Sequence, residues 1–251
     1  MPTLSAIIIT KNEEEQIAAC LDSLSFVDEI IVLDTNSTDK TEEICAKYNA
    51  KFSTAPWQGF GKQKQLALEM ASSDWVLSID ADEHVTEELK NEILALLQKP
   101  SSVVAYKIPR LTTFYGQAVT HCCNPKKDTP VRLIKRGSAR FSDDLVHEKI
   151  LVDGEIGTLQ SQIIHHSFKN LEEILLKTNS YSTLGAEKLN QKGIQGSILK
   201  AFGHAIWVFL KIYFFKGGFM DGWPGFLIAL GNFEGTFYRY AKLLEMQKYR
   251  H

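Results

Sequence analysis

The chain has 251 residues, of which 44% are hydrophobic and 23% charged; this composition is typical of one large globular domain, or of a domain with an appendage, and excludes a disordered or fibrous protein. Its 28 Lys and Arg residues nearly balance its 30 Asp and Glu residues, so no global positive field is available to bind nucleic acid. Four cysteines without zinc-ligand spacing, and an N-terminus without the pattern of a signal peptide, predict a reducing, cytoplasmic location.

The first hundred residues alternate short β-branched runs with stretches of helical spacing. The predicted strands are 4–9, 29–33, 75–79 and 103–108. The predicted helices are 14–24, a helix capped by residues 37–39 that runs to Tyr48, 61–70, and 87–97 with Thr86 as its cap. Repeated βα units of this kind predict an α/β protein with a doubly wound, mostly parallel sheet.

The pattern loosens after Pro109 and becomes helical again after residue 169. Short strand-like pieces at 132–135, 148–152 and 161–165 predict a mixed extension of the sheet. A helix is predicted at 170–190, capped by Asn170, and two more are predicted in the aromatic tail, separated at Gly217 and Gly218. We therefore expect an α/β domain over residues 1–168 and a helical, aromatic and basic C-terminal region over residues 169–251.

Polar side chains follow three of the predicted strands. The sequence T-K-N-E-E begins at Thr10, D-T-N-S-T-D begins at Asp34, and D-A-D-E begins at Asp80. Ligands of open α/β sheets bind beyond the carboxyl ends of the strands, so these residues are candidates for one site. Asp80 and Asp82, one residue apart, can share a hard cation, and the cation can neutralise a diphosphate. The alternatives are that Asp82 and Glu83 only decorate the next helix, and that the first loop only caps its helix.

These segments, in their βα register, resemble those of family 2 glycosyltransferases with the GT-A fold over roughly residues 4–100, and more loosely to about 170. The resemblance implies a donor-nucleotide half over 1–100, an acceptor half over 101–168, and inverting transfer of a sugar from a nucleoside diphosphate. It implies that Thr10, Asn12 and Glu14 contact the nucleoside, Asp34 the nucleobase, Lys64 the phosphate or nucleobase where many members have arginine, Asp80 the ribose region, and Asp82 a Mg²⁺ or Mn²⁺ ion.

Direct displacement by an acceptor hydroxyl also requires a general base on the opposite face of the sugar. The segment 141–148 gathers three carboxylates and one imidazole, and its V-H-E sequence resembles a motif of a subset of the family. That subset implies Glu148 as the base and His147 as a residue that contacts or orients the substrate. Asp143 and Asp144 are alternative bases, and a solvated acidic turn is the alternative without a function.

Three further residues have open roles. His166 ends an apolar strand, so a structural histidine is favoured, although it could also reach the diphosphate or metal. Arg132 and Arg136 flank a short strand, and either could face an anionic acceptor.

The C-terminal tail combines aromatic and basic residues. Its apolar run at 205–215 covers eleven residues, which is too short to span a membrane, so an interfacial element that favours anionic lipid is expected, with an ordinary core or dimer helix pair as the alternative. The pattern W-V-F-L-K-I-Y-F-F-K-G-G-F, together with G-F-G-K-Q-K-Q, resembles bacterial lipopolysaccharide-core β-1,4-glucosyltransferases that act on the inner-core heptose. This resemblance implies UDP-glucose as donor, a lipid-linked oligosaccharide as acceptor, and a peripheral position on the cytoplasmic face of the membrane.

Other functions remain open at this stage. A member of the same family acting on another cell-surface glycan is the first alternative, and the absence of a Q-x-x-R-W motif favours transfer of a single sugar over polymerisation. A phosphotransferase with Asp80 as nucleophile would also fit an apolar strand followed by D-x-D. A binding protein that kept the fold without activity is the third alternative.

Overall fold

Two units make up the chain in the computed structural model, which describes residues 2–142, 149–168 and 171–249. The first comprises Met1–Leu111 and Pro125–His165, and the second comprises Thr112–Asn124 and His166–His251. In chain order the elements are β1 (Leu4–Thr10), α1 (Ile17–Asp22), β2 (Glu29–Asp34), α2 (Thr41–Lys47), β3 (Lys51–Thr54), α3 (Phe60–Met70), β4 (Trp75–Ser78), β5 (Glu83–Val85), α4 (Glu87–Leu97), β6 (Val103–Lys107), β7 (Arg110–Phe114), β8 (Gln117–Ala118), β9 (Val131–Lys135), β10 (Ala139–Phe141), β11 (Ile150–Val152), β12 (Glu155–Thr158), β13 (Ile163–Phe168), α5 (Leu171–Gln191), α6 (Ile198–Leu210) and α7 (Gly222–Tyr249).

The first unit is built on a seven-stranded sheet with the order β12-β6-β9-β4-β1-β2-β3. β1 pairs in parallel with both β2 and β4, and β2 pairs in parallel with β3. β9 is antiparallel to its neighbours β4 and β6, whereas β12 is parallel to β6. Together with the helical C-terminal region described below, this confirms the predicted fold class, an α/β protein with a mostly parallel sheet and a helical extension.

Burial on both faces explains why β1 is mostly apolar, with a run of three isoleucines. Ala6 and Ile8 of β1 pack in one hydrophobic cluster with residues of α1 and α4, whereas Ile7 packs in a second cluster with Ala67 and Leu68 of α3. A strand covered on both sides needs a continuous apolar run rather than an alternating one. Burial of each isoleucine side chain contributes about 1.5–3 kcal/mol to folding.

Two local details depart from the sequence predictions and one agrees with them. Helix α1 begins at Ile17 rather than at residue 14, because the preceding residues form a turn in which the Gln16 amide donates to the Glu13 carbonyl. Residues Glu83–Val85 form a strand, which was not predicted, paired with the start of β13. The prediction that Thr86 caps α4 is confirmed, since its hydroxyl oxygen accepts a hydrogen bond from the Leu89 amide at 3.2 Å.

The second unit is dominated by helices α5, α6 and α7. Helix α7 packs against both α5 and α6, and the ring pair Phe202–Phe237, with centroids 4.9 Å apart, is one of the contacts along α6. The predicted helix at 170–190 and the two predicted tail helices are confirmed, although the expected cap Asn170 lies outside the described residues. The break falls where predicted, because Gly217 adopts a left-handed conformation with φ of 75°.

The apolar stretch of the tail is longer than the eleven residues predicted from the sequence. Helix α6 continues through a π-helical turn, so that Ile198–Phe215 forms 18 helical residues with a mean hydropathy of 1.5. By length and composition, this segment is sufficient to cross a membrane. The prediction of too short a run was wrong because the residues before Ala205 belong to the same helix.

Candidate active site

Asp34 organises the turn that follows β2. The carboxylate is buried, and its Oδ1 accepts a hydrogen bond from the Thr10 hydroxyl at 2.7 Å. Its Oδ2 accepts from the backbone amide of Ser37 at 2.6 Å. Thr10 and Asp34 are direct partners in the parallel register of β1 and β2, which is why the two predicted site residues meet. The structure therefore uses the Asp34 carboxylate to hold the two strand ends together.

The loops after β1 and β2 are hydrogen-bonded to each other. Asn12 has a φ of 55°, and its Oδ1 accepts from the Thr38 amide at 2.8 Å. Glu14 accepts from the Lys40 amide at 3.1 Å through Oε2. Asn and Asp tolerate this left-handed conformation better than other side chains do, which accounts for Asn12 at the sharpest point of the loop. Asn12 and Glu14, which were predicted to contact the nucleoside, thus lie in loops that are hydrogen-bonded to each other at the carboxyl ends of β1 and β2, and we call these two loops the rim.

Two cations fix the carboxylate of Asp80, which follows β4. Lys64 Nζ lies 2.9 Å from Oδ1, and Arg132 donates to Oδ2 at 2.7 Å. Burial by itself raises the pKa of Asp80, but the charges of Arg132 and Lys64 outweigh it and hold that pKa well below its ordinary value. The structure thus places both Lys64 and Asp80, which were predicted to contact the donor, in one ion-paired cluster. Asp80 is ionised and already bound at both oxygens.

Glu83 belongs to the same cluster and was not identified as a site residue from the sequence. Its fully buried carboxylate accepts from Arg132 at 2.6 Å and from the Asp80 backbone amide at 2.9 Å. Arg110 approaches the same Oε1 atom at 3.4 Å. Burial raises the pKa of Glu83, the charge of Arg132 lowers it, and the charge of Asp80 raises it, so that the net shift is upward.

The same contacts answer the question left open for the arginines. Arg132 is buried, and its guanidinium is engaged by Asp80 and Glu83 rather than directed at an acceptor. Arg136 is exposed at the end of β9. The spacing of Asp80 and Glu83 across a tight turn is the part of this cluster that the sequence shows. Their partner Arg132 lies about fifty positions later in the chain, and only the pairing of β4 with β9 brings it near them.

Asp82 has a histidine beside it. His165 Nε2 lies 3.2 Å from Asp82 Oδ2, and the two side chains are 17% and 24% exposed. The antiparallel pairing of β13 with β5 places His165 opposite Glu83, next to the Asp82 turn. His166, a candidate ligand of the diphosphate or metal from the sequence, instead contacts the Thr113 hydroxyl through Nδ1 at 2.9 Å, in the second unit. Successive strand residues point to opposite faces, so only one of the two histidines can face Asp82.

Asp82 and His165 are chemically suited to hold a divalent cation. Across residues 2–142, 149–168 and 171–249, no group of three or more histidine, cysteine, aspartate or glutamate side chains is arranged to hold a metal. A carboxylate oxygen and an imidazole nitrogen supply two ligands, and oxygens of a bound diphosphate could complete the coordination of Mg²⁺ or Mn²⁺. The donor set therefore fits a metal that binds together with its substrate.

The predicted general base lies outside the described residues. This applies to Glu148 and His147 and also to the alternatives Asp143 and Asp144. The strands on either side, β10 and β11, form an antiparallel hairpin in which Ser142 donates its amide to the Lys149 carbonyl at 2.8 Å. The assignment of the base remains a prediction from the sequence.

Comparisons with known proteins bear on the whole chain. The model of the family "Glycosyl transferase family 2" matches residues 5–133. An uncharacterized glycosyltransferase of Rickettsia typhi is 33% identical, over 98% of this chain and 88% of its own length. The lipopolysaccharide core biosynthesis glycosyltransferase LpsC of Rhizobium meliloti is 32% identical, over 96% of this chain and 92% of its own length. Among solved structures, glucosyl-3-phosphoglycerate synthase from Mycobacterium tuberculosis with Mn²⁺, UDP and product is 22% identical with a TM-score of 0.48, covering 78% of this chain and 82% of that one.

Proposed function

The chain belongs to glycosyl transferase family 2 and is a transferase enzyme, and we propose that it transfers one sugar from a nucleoside diphosphate donor to a hydroxyl of a cell-surface glycan, with inversion at the anomeric carbon. The near full-length similarity to a lipopolysaccharide core glycosyltransferase supports a role in the synthesis of that glycan. UDP-glucose is the proposed donor and a lipid-linked inner-core heptose the proposed acceptor. The proposed location is the cytoplasmic face of the membrane, where the enzyme would reach a lipid-linked acceptor.

The residues of the first unit divide the work of binding the donor. The rim that contains Asn12 and Glu14, braced by the Thr10–Asp34 bond, is proposed to receive the nucleoside. Asp80 is kept as an anion by Lys64 and Arg132, so it can accept hydrogen bonds from ribose hydroxyls without becoming protonated. Preorganised polar groups of this kind need no rearrangement when the substrate binds.

The reaction requires a leaving diphosphate and an activated acceptor. Asp82, with His165, is proposed to hold Mg²⁺ or Mn²⁺. When bound, the ion neutralises charge on the departing diphosphate. Glu148 is proposed to take the proton of the acceptor hydroxyl while the acceptor oxygen forms the bond to the anomeric carbon and the bond from that carbon to the diphosphate breaks. His147 is proposed to orient the substrate.

The observation that carries this proposal is the Asp82–His165 pair in the turn after β4, a strand that runs parallel to β1 and so ends on the same side of the sheet as β1 and β2. Release of nucleoside diphosphate, measured with a panel of sugar nucleotides, Mg²⁺ or Mn²⁺ and a heptose-containing acceptor, tests it. Asp82→Ala should lower kcat/KM by at least about a hundredfold, because loss of several kcal/mol of charge stabilisation corresponds to tenfold for every 1.4 kcal/mol. Asp153→Ala, which changes an exposed aspartate directly after β11, is the matched control and should leave kcat/KM unchanged. Turnover that is unaffected by chelation of divalent ions would remove the role assigned to Asp82.

The contacts of Asp80 disfavour the alternative phosphotransferase. A carboxylate attacks phosphorus through an oxygen lone pair, and pairing of both its oxygens with cations lowers its nucleophilicity. Lys64 and Arg132 each occupy one oxygen of Asp80, and three strands precede β4 in the chain. Hydrolysis of an activated phosphate ester that is abolished by Asp80→Asn would reverse this preference.

A further inference from the structure

The apolar side chains of α6 and its π-helical continuation are turned to solvent. Only 17% of Ile198–Phe215 is buried, although the segment is the most apolar long helix in the part of the chain that the structure describes. Leu199 is 84% exposed and Phe215 is 74% exposed. Exposed apolar surface of this extent on a soluble protein usually marks an interaction site.

Five of the eight exposed large apolar side chains of Ile198–Phe215 form one stripe along the helix. With about 100° between successive residues, they lie within an arc of roughly 120°. Ala201 and Ala205, on the opposite side, are fully buried. The members of the stripe on α6 and its continuation are Leu199, Phe202, Ile206, Leu210 and Phe214, with Trp207 at its border.

Charge distinguishes among the possible occupants of this stripe. Between residues 198 and 216 the chain has three lysines and no aspartate or glutamate. Lys200 and Lys211 are exposed and fall within about 20° of each other on one border of the stripe. An apolar face edged with lysines, with tryptophan and phenylalanine among its side chains, is complementary to an anionic lipid surface, because the side chains enter the acyl boundary while the ammonium groups reach the phosphates.

The helix cannot enter the bilayer alone. Its 18 residues would extend about 27 Å, close to the thickness of the hydrocarbon core. It is nevertheless paired along its length with α7, through Phe202 against Phe237 and through the stacked rings of His204 and Tyr240, whose centroids are 4.7 Å apart. Helix α7 has Glu234, Arg239 and Lys242 over the same stretch, and these charges are costly at the centre of a membrane.

We propose that the stripe of α6 lies flat in the headgroup layer of an anionic membrane and attaches the protein to it as a peripheral, not a spanning, element. The rings of Phe214 and of Trp207, at the border of the stripe, enter the acyl boundary, and Lys200, Lys211 and Lys216 contact lipid phosphates. The proposal deepens the proposed function, because a lipid-linked acceptor would lie in the same surface. The attachment itself does not depend on sugar transfer.

Flotation of the full-length protein with vesicles tests this attachment. Vesicles of phosphatidylethanolamine and phosphatidylglycerol should carry the protein to the top of the gradient, and vesicles of phosphatidylcholine should carry much less. The double variant Trp207→Gln and Phe214→Gln should bind vesicles at least tenfold more weakly, because it lacks the two aromatic rings that would be buried in the acyl boundary. The matched control is Leu176→Gln with Leu184→Gln, which changes two side chains of α5 that are similarly exposed and should leave partitioning unchanged.

The lysines provide a second, independent readout. Lys200→Gln with Lys211→Gln should lower partitioning onto the anionic vesicles by about fivefold for each lysine, and the difference should shrink as salt is raised. On phosphatidylcholine vesicles the same substitutions should have no effect.

Several outcomes would overturn the proposal. The first is wild-type protein that stays unbound on anionic vesicles. The second is an equal loss of vesicle binding in the Trp207/Phe214 variant and in the Leu176/Leu184 control. The third is resistance to alkaline carbonate extraction, which indicates a spanning helix. A dimer in solution that the Trp207 and Phe214 substitutions dissociate, without vesicle binding, would identify a second copy as the occupant. Nucleoside diphosphate release by the same preparations separates the two proposals, since the Trp207 and Phe214 variant should keep donor turnover with a soluble acceptor even though it no longer floats.

Discussion

Replacement of Arg132 by methionine should destabilise the protein by about 3–5 kcal/mol, the usual cost of removing one partner from a buried ion pair. Arg132 donates at 2.6 Å to Glu83, which is fully buried, and at 2.7 Å to Asp80. Methionine fills much of the same space but supplies no charge. Lys64 would still contact Asp80, and Arg110 would still approach Glu83 at 3.4 Å, so the loss is not expected to exceed this range.

The deficit should depend on pH with a definite sign. In the wild type the pKa of Asp80 is held below its ordinary value, so its contribution to stability is present above the ordinary carboxyl pKa and is lost as pH falls through the lowered pKa. Without Arg132, the pKa of Asp80 is lowered only by Lys64 and rises relative to wild type, and the pKa of Glu83, which burial already raises, rises further because the charge of Arg132 no longer opposes it. Between pH 8 and pH 5 the folded variant then binds protons that its unfolded chain does not, which stabilises the folded variant. The difference in unfolding free energy between wild type and Arg132→Met should therefore become smaller from pH 8 to pH 5.

Urea denaturation followed by circular dichroism at pH 8 and pH 5 measures both effects. For a chain of this length the expected loss at pH 8 corresponds to a fall in Tm of roughly 6–20 °C. Arg136→Met, at an exposed position four residues along the chain, is the matched control and should stay within about 0.5 kcal/mol of wild type. A loss below about 1 kcal/mol, or an equal loss at the two pH values, would refute the account of the buried cluster.

Three further predictions concern stability. Burial raises the pKa of Glu29, but hydrogen bonds from Lys51, Ser5 and Ser72 outweigh burial and lower that pKa to about 2. In urea denaturation, the difference in unfolding free energy between wild type and Glu29→Gln should therefore be largest near pH 7 and vanish as pH falls toward 2. A difference that does not change with pH would contradict this. Gly225→Ala should lower the Tm strongly because its Cβ would collide with the carbonyl oxygen of Gly218, whereas Gly203→Ala, with open space around it, should raise stability by up to about 1 kcal/mol; equal effects would contradict the packing. Thr86→Ala should cost about 1 kcal/mol through loss of the α4 cap, and no change in the denaturation midpoint would show that the cap is unimportant.

Prediction from the sequence succeeded where the controlling interactions are local. The β1 run was predicted from its apolar residues, which cover both faces of the strand. Helix α4 was predicted from a hydroxyl cap, acidic residues in its first turn and a regular apolar face. It failed at β5, because acidic residues ahead of a helix have the same pattern whether they face solvent or a buried arginine. A charge at the helix end was therefore one alternative for Glu83 and no site role was predicted for it, although it is fully buried in the fold.

The candidate site shows the same division. The spacing of Asp80 and Asp82 and the polar segments after β1 and β2 predicted an edge at which they meet, and the parallel register of β1 with β2 and β4 brings them there. Nothing in the spacing distinguished His165 from His166.

Periodicity within a segment records which side chains are buried, so local sequence was enough to predict strands β1, β2, β4 and β6, most of the helices, the Thr86 cap of α4 and the polar ends of the strands. The cap predicted for α2 at residues 37–39 was wrong in position, because the helix begins at Thr41 with Lys40 before it, and Lys40 makes no side-chain cap hydrogen bond. Periodicity does not record which distant segment supplies the partner. The antiparallel pairing of β13 with β5 determines that His165 meets Asp82, and the pairing of β9 with β4 determines that Arg132 neutralises Asp80. Both choices depend on strand register across fifty to eighty residues, where a shift of one position would turn each side chain to the other face.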